Sequence, residues 1–132
     1  MLSLDHVALE VSDMDAAIAF YTEKIGLELI SEQLDPEHHE RFAFLRLEGG
    51  NLELLQSLDD DNQPAAFVRT EPRRSNCPHV AIGAPGLDGV LARLRAAQIP
   101  ILKGPLEIPG QVRWLYAADP DGNVLEFVQW LH

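Results

Sequence analysis

Leu52-Glu53-Leu54-Leu55-Gln56 returns 73 residues later (125 − 52) as Leu125-Glu126-Phe127-Val128-Gln129. The same shift lays residues 6–9, His-Val-Ala-Leu, on residues 79–82, His-Val-Ala-Ile, so each histidine precedes its glutamate by 47 residues (53 − 6). The two copies align across these 47 residues without a gap. A repeated interval with the same residue types at both ends indicates an internal duplication. Two copies predict one domain built from a pair of equivalent modules.

The first module is predicted to have the order β-α-β-β-β. Residues 4–11 alternate between apolar and polar positions, as a strand with one buried face does. Ser12 and Asp13 are suitable N-caps for a helix that ends at Gly26, because their side chains accept hydrogen bonds from free backbone N–H groups. Three further strands are predicted over residues 27–33, 41–47 and 51–57.

The second module repeats this order. Residues 79–83 form its first strand and residues 87–98 its helix, followed by a short strand near Ile101 and strands over 112–118 and 124–130. Asp119-Pro120-Asp121-Gly122 places proline and glycine where turns require them. The predicted fold is α+β, with two tandem β-α-β-β-β modules paired into curved eight-stranded sheets.

The predicted domain organisation is a single domain over residues 1–132. Module one covers residues 1–58 and module two covers residues 77–132. The linker between them, residues 59–76, is rich in acidic residues, asparagine and proline, and a short helix is predicted within it over residues 65–69.

Composition excludes several classes of function. The formal net charge of −11 opposes binding to nucleic acid phosphates and anionic membranes. No apolar run approaches the roughly 18 residues of a spanning helix, and the N-terminus lacks a signal-peptide pattern. Cys77 is the single cysteine, so an internal disulfide is impossible. We therefore expect a cytoplasmic protein that acts on a small molecule.

The two histidines and two glutamates are predicted to share a chemical role. His6 and His79 fall on the first strand of each module, and Glu53 and Glu126 on the last. Their neighbours along the strands are apolar and would pack against the helices. Because successive strand residues point to opposite faces, all four polar side chains are expected on the sheet face away from the helices. Two imidazoles and two carboxylates suit a divalent Zn, Ni, Co, Mn or Fe ion with positions left open for substrate.

The motifs resemble the vicinal oxygen chelate superfamily, which includes glyoxalase I, methylmalonyl-CoA epimerase, extradiol dioxygenases and the fosfomycin and bleomycin resistance proteins. Besides the doubled β-α-β-β-β order, the resemblance rests on three segments. They are residues 5–7 (Asp-His-Val), residues 17–21 (Ala-Ile-Ala-Phe-Tyr) followed by Gly26-Leu27, and residues 119–126 (Asp-Pro-Asp-Gly-Asn-Val-Leu-Glu). The match spans nearly the whole chain, closest to small bacterial glyoxalase I-like proteins.

The resemblance implies a metal site, an assembly and a type of reaction. His6, Glu53, His79 and Glu126 occupy its four metal-ligand positions. A homodimer is the implied assembly, because such sites often lie between two subunits. The implied reaction is that of a glyoxalase I-like lyase or isomerase, which acts on a small oxygen-chelating carbonyl substrate through a metal-bound enediolate. Glu126 or Glu53 would be the catalytic base.

Five further residues are predicted to contact substrate. Leu55 shares a face with Glu53, and Val128 and Trp130 share one with Glu126. Glutathione-dependent glyoxalases carry Arg four residues after the first ligand and Asn four residues after the second. This chain has Glu10 and Ser57 at those two positions. A carboxylate at the site would repel glutathione carboxylates that an arginine would bind. Use of glutathione is therefore not expected.

Three alternative functions stay open from the sequence. An extradiol dioxygenase is supported by Tyr116, ten residues before Glu126, but the histidine of that signature is missing from residues 107–109. A methylmalonyl-CoA epimerase-like isomerase is supported by residues 52–58 and 64–67. A non-catalytic antibiotic-binding protein is disfavoured by the complete ligand set. For Tyr116, a core role is preferred to a catalytic one.

Overall fold

A computed structural model describes residues 1–69, 71 and 78–131. The chain divides into two compact units, Met1–Arg69 and Thr70–His132. Cys77 and residues 70 and 72–76 of the predicted linker lie outside the described residues. Within the described ranges, no helix combines the length and the apolar character needed to cross a membrane.

Unit 1 is one mixed sheet of four strands with a helix. In chain order it has β1 (His6–Glu10), α1 (Met14–Ala19), a π-helical segment (Phe20–Ile25), β2 (Glu28–Asp35), β3 (Glu40–Arg46) and β4 (Asn51–Ser57). The strand order is β1-β4-β3-β2. β1 runs parallel to β4, and the other neighbours are antiparallel.

Unit 2 has the same topology. Its elements are β5 (Val80–Gly83), α2 (Leu87–Ala96), β6 (Ile101–Ile108), β7 (Val112–Ala118) and β8 (Val124–Trp130), in the strand order β5-β8-β7-β6. β5 and β8 are parallel, as β1 and β4 are. The predicted α+β fold of two β-α-β-β-β modules is confirmed.

Three local predictions differ from the structure. The first helix is α-helical only to Ala19 and then continues as a π-helical segment to Ile25, before Gly26 ends it with a positive φ of 94°. The strand near Ile101 is eight residues long. No helix forms over residues 65–69, because a bridge between Leu58 and Pro64 and an Ala65 N–H to Ser57 carbonyl hydrogen bond keep the chain alongside the end of β4.

Each helix packs on one face of its own sheet. In unit 1, α1 packs against β3 and β4, and Leu52 and Leu54 are fully buried while Glu53 between them is half-buried. Unit 2 repeats the pattern with Leu125 and Phe127 around Glu126. Successive strand residues point to opposite faces, so the glutamates lie on the face away from the helix. We call this face the site face of each sheet.

A glutamine side chain from the last strand of each unit caps its helix. The Gln56 carboxamide oxygen accepts from the Met14 N–H at 3.1 Å, and its nitrogen donates to the Ser12 carbonyl at 2.9 Å. Gln129 accepts from the Leu87 N–H at 3.1 Å in the same way. The first N–H groups of a helix have no partner within the helix, so these carboxamides supply one and tie helix to strand.

The two units differ by one residue in the register of the third strand. Phe44 of β3 lies opposite Glu53, whereas the residue opposite Glu126 is Tyr116 of β7, which follows Phe44 by 72 residues (116 − 44). The loop before β8 is one residue longer than the loop before β4. Equivalent residues of β4 and β8 are therefore again 73 positions apart. The ungapped alignment is therefore correct for the first and last strands and wrong by one residue for β3 and β7.

The Gln56 cap predicts a specific loss of stability. Gln56→Leu leaves the buried Met14 N–H without a partner, so we expect the free energy of unfolding to fall by about 1–3 kcal/mol. Urea unfolding followed by circular dichroism would measure it. Gln33→Leu is the matched control, because Gln33 is exposed on β2, and should change stability by less than about 0.5 kcal/mol. Equal effects of the two substitutions would contradict a capping role.

Candidate functional site

His6 and Glu53 form a close pair on the site face of unit 1. His6 begins β1, and Glu53 is in the middle of its parallel neighbour β4. The His6 Nε2 atom is 3.8 Å from the Glu53 Oε1 atom. The Glu53 side chain is only 16% exposed. A carboxylate withdrawn from water needs a cation, a donor or a metal ion to hold its charge.

His79 and Glu126 form the equivalent pair on the site face of unit 2. The His79 Nε2 atom lies 3.0 Å from the Glu126 Oε1 atom, and the glutamate side chain is 15% exposed. His79 directly precedes β5, and Glu126 lies in the adjoining strand β8. The structure therefore brings the four predicted ligand residues together as two His–Glu pairs, one in each unit.

An aromatic ring packs edge-on against each histidine. In unit 1 the rings of His6 and Phe44 are 5.4 Å apart at an interplanar angle of 89°. In unit 2 the rings of His79 and Tyr116 are 5.3 Å apart at 87°. Both aromatic residues are the cross-strand partners of the paired glutamates. Edge-to-face packing restricts the imidazole rings and keeps them beside the carboxylates.

Asp5 is a further partner of His6. An Asp5 carboxylate oxygen lies 2.6 Å from the His6 Nδ1 atom. This hydrogen bond is the main cause that raises the pKa of His6 above its usual 6.5, with a smaller contribution from the Glu53 charge and an opposing one from desolvation. With Nδ1 held by Asp5, Nε2 is the ring nitrogen that faces Glu53. The residue at the equivalent position of the second module is Pro78, which has no acceptor side chain.

The His–Glu distances suit two neighbouring ligands of a metal ion, so each pair could supply part of a ligand set. Two ligand atoms at cis positions about 2.1 Å from a metal ion lie about 3.0–3.4 Å apart. The 3.0 Å separation in unit 2 has this spacing, and the 3.8 Å separation in unit 1 is slightly wider. Within residues 1–69, 71 and 78–131, no group of three or more His, Cys, Asp or Glu side chains is arranged around a common point. Each unit thus offers two ligands.

The remaining predicted site residues occupy the same faces at different depths. Leu55 is half-buried on the site face of unit 1, and Glu10 is its partner across β1 and β4. Ser57 is exposed at the end of β4. In unit 2, Val128 is half-buried beside Glu126 on the site face, whereas Trp130 at the end of β8 is exposed.

Sequence reasoning did not select Asp5 or Phe44 as site residues, and it preferred a core role for Tyr116. Asp5 could have been found from its position next to His6, since histidine ligands commonly donate their second N–H to a carboxylate. Phe44 and Tyr116 could not be matched to each other from the sequence, because the ungapped alignment places Phe44 on Ala117 (44 + 73). Their shared place beside the glutamates becomes visible only through the strand register.

The chain is similar in sequence to enzymes of known name. The chain is 30% identical over 129 residues to bovine methylmalonyl-CoA epimerase, a match that covers 96% of this chain and 73% of the epimerase. It is 26% identical over 132 residues to a protein of Vibrio cholerae named probable lactoylglutathione lyase, with 94% and 88% of the two chains covered.

The fold is also that of solved glyoxalase-like structures. A glyoxalase family protein from Bacillus cereus superimposes with a TM-score of 0.81 at 20% identity, over 100% of this chain and 96% of that one. The sequence model of the Glyoxalase/Bleomycin resistance protein/Dioxygenase superfamily matches residues 3–127. The chain, with its two β-α-β-β-β units and its two His–Glu pairs, belongs to this superfamily.

Proposed function

We propose that the protein is a metal-dependent enzyme of the glyoxalase I-like lyase or isomerase type, which moves a proton at a carbon beside a carbonyl group. The observation that carries this proposal is the pair of His–Glu contacts at 3.8 and 3.0 Å on the two site faces. The names of the relatives add support, because they include an epimerase and a lactoylglutathione lyase.

The proposed ligands of the metal are His6, Glu53, His79 and Glu126. Their two imidazoles and two carboxylates suit divalent Ni, Zn, Co, Mn or Fe. When bound, the metal would act as a Lewis acid that stabilises negative charge on the substrate oxygen. A site of four ligands takes one His–Glu pair from each of two modules, and we propose a homodimer as the assembly and the cytoplasm as its location.

The proposed base is a glutamate of these pairs, Glu126 or Glu53. General-base catalysis needs a carboxylate that reaches the carbon acid and is sheltered from water. Both side chains are at most 16% exposed and lie beside an apolar residue of the same strand face, Val128 or Leu55. The paired histidine holds each carboxylate in place, so the proton can be taken and returned at a fixed position.

Asp5 has a proposed positioning role. Its carboxylate lies 2.6 Å from Nδ1 of His6, which fixes the ring with Nε2 towards Glu53 and makes Nε2 the atom that would bind a metal ion. Carboxylate–histidine pairs of this kind orient metal-binding imidazoles and raise their basicity. We propose that Asp5 prepares His6, and no other ligand, for metal binding.

A second candidate function is epimerisation of a 2-carboxyacyl thioester, which the similarity to an epimerase favours, while Glu10 counts against use of glutathione. The Glu10 backbone lies beside that of Leu55, and Glu10 is exposed at the end of β1. Its negative charge would oppose the carboxylates of glutathione. The 30% identity to bovine methylmalonyl-CoA epimerase points in the same direction.

Substitution of the proposed base should abolish catalysis. With methylmalonyl-CoA as substrate, Glu126→Gln and Glu53→Gln are each expected to lower kcat, the variant of the true base by at least about 100-fold. Epimerisation can be followed by exchange of the substrate α-proton with deuterated water. Glu48→Gln is the matched control, since Glu48 is exposed in the loop before β4, and should keep full activity.

Metal content tests the same proposal independently. Protein purified without chelator should contain a stoichiometric divalent metal by mass spectrometry, and His79→Ala should lose it because one of the proposed ligands is gone. A wild-type protein that contains no such metal and binds no added Ni, Co or Zn would contradict the proposal. Iron together with oxygen-dependent catechol cleavage would instead identify a dioxygenase.

Glu10 should disfavour glutathione substrates. We expect weak activity on the hemithioacetal of methylglyoxal and glutathione, and Glu10→Gln should lower its KM several-fold by removing charge repulsion. Glu48→Gln again serves as the control for a change in net charge. Wild-type activity equal to that of a dedicated glyoxalase would show that Glu10 does not select against glutathione.

The Asp5–His6 hydrogen bond should be visible in solution. In metal-free protein, Asp5→Asn is expected to lower the pKa of His6 towards 6.5, because the carboxylate acceptor is lost. A raised pKa in the folded state stabilises the fold below the unfolded pKa, and this contribution disappears as the pH rises through the folded pKa. NMR titration of the imidazole would measure the change. His79 is the internal control, and an unchanged His6 would contradict the proposed contact.

A further inference from the structure

A row of four polar side chains crosses the sheet of unit 2. His79 is in contact with Glu126 of β8, the neighbour of Glu126 in β7 is Tyr116, and the neighbour of Tyr116 in β6 is Lys103. Residues that are directly opposite in an antiparallel pair project from the same face of the sheet. β6 is irregular on both sides of Lys103, but Lys103 itself is exposed and pairs with Tyr116, so the row places an imidazole, a carboxylate, a phenol and an ammonium group in order on the site face.

Unit 1 has the same row with different chemistry at two places. Phe44 lies opposite Glu53, and Ser31 lies opposite Phe44. Both differ by 72 residues from their counterparts, Tyr116 and Lys103, so the correspondence follows from register and does not depend on residue similarity. The His–Glu pair is common to both units, whereas the phenol and the ammonium group occur in unit 2 alone.

The charge of Lys103 is not neutralised by a neighbouring acid in the part of the chain that the structure describes. Several arginines there are paired with acids: Arg41 with Asp15 and Glu32, Arg46 with Glu28, and Arg113 with Asp88. Lys103 has no such partner in those same ranges, although the chain carries 21 acidic residues. An unpaired ammonium group on the site face is available to an anion from solution.

We propose that Lys103 and Tyr116 form a subsite for an anionic oxygen group of the substrate. This inference rests on the proposed function and deepens it, because it names a feature of the substrate. The ammonium group would supply the charge and the Tyr116 hydroxyl a hydrogen bond, and bonds to ionised groups are about twice as strong as neutral ones. Trp114 is half-buried two residues before Tyr116 in β7, so it lies on the same face as Tyr116 and would shield that side of the subsite from water.

Strand spacing defines where the anion would lie. Neighbouring strands are about 4.8 Å apart, so the Lys103 backbone is about 10 Å from that of Glu126 with Tyr116 between them. A substrate whose reacting carbon lies at Glu126 would thus present its anionic group towards β6. Unit 1 offers Phe44 and Ser31 in the corresponding places, so only the sheet of unit 2 carries this pair of groups.

Two sources could supply such a group in an acyl-CoA thioester. One is a carboxylate on the acyl chain, and the other is a phosphate of coenzyme A. Methylmalonate has the acyl carboxylate but no phosphate, and coenzyme A has the phosphates but no acyl carboxylate. Titration of the full-length protein with each compound, as purified and again with chelator present, separates the two sources and removes binding through a metal. Binding is read from NMR shifts of the backbone amides.

The test compares substitutions taken from the protein's own first unit. Lys103→Ser introduces the residue of unit 1 and should raise the dissociation constant of at least one probe about tenfold. Lys103→Arg should keep the dissociation constant within about threefold, since the charge is retained. Tyr116→Phe, again the unit 1 residue, should weaken binding by about threefold. Arg95→Ser on the exposed side of α2 is the control and should change nothing.

The outcomes distinguish this inference from the proposed function. An effect of Lys103→Ser on methylmalonate identifies a carboxylate subsite, and an effect on coenzyme A identifies a phosphate subsite. If neither probe binds the wild-type protein, or if Lys103→Ser changes neither dissociation constant, the inference is overturned. Binding that depends on Lys103, in a protein that contains no divalent metal and binds none, would retain the subsite and reject the proposed metal-dependent reaction.

Discussion

The alternation of side chains along the last strand of each unit is the constraint on which the rest of the structure depends. In β4 the buried residues Leu52, Leu54 and Gln56 lie under the helix, as Leu125 and Phe127 do in β8, and the glutamates between them face the other way. One strand therefore carries both the core and the chemistry. A shift of one residue would expose the leucines and bury the glutamates under the helix, which would cost several kcal/mol.

The same strand also sets the position of the helix. Gln56 and Gln129 lie on the helix-facing side and cap α1 and α2 through their carboxamides. These caps hold each helix in place on the last strand of its unit and on the first strand beside it. In that arrangement the histidine of the first strand lies next to the glutamate of the last strand, which runs parallel to it. The geometry of the His–Glu pairs is a consequence of the packing beneath them, because rigid strands hold side chains more precisely than loops do.

Duplication supplied two copies of this arrangement, and divergence made them unequal. Unit 1 keeps Asp5 beside its histidine and an apolar ring, Phe44, beside its glutamate. Unit 2 has Pro78 in place of Asp5, a phenol in place of the phenyl ring and a lysine opposite that phenol. The proposed division of labour, with unit 2 binding the anionic group of the substrate, follows from these differences and not from the common pairs.

The sequence by itself determined the duplication, the β-α-β-β-β order and the four residues that form the two pairs, because apolar alternation and the doubled interval of 47 residues are visible without coordinates. It also located the Asp13 cap and the Asp119 turn, since capping and turn chemistry are local. The tertiary structure alone decided that Tyr116 corresponds to Phe44 and that Lys103 extends the row. A one-residue difference in loop length cannot be recognised from the types of the residues involved. The register of the strands is set by hydrogen bonds between segments that are distant in the sequence.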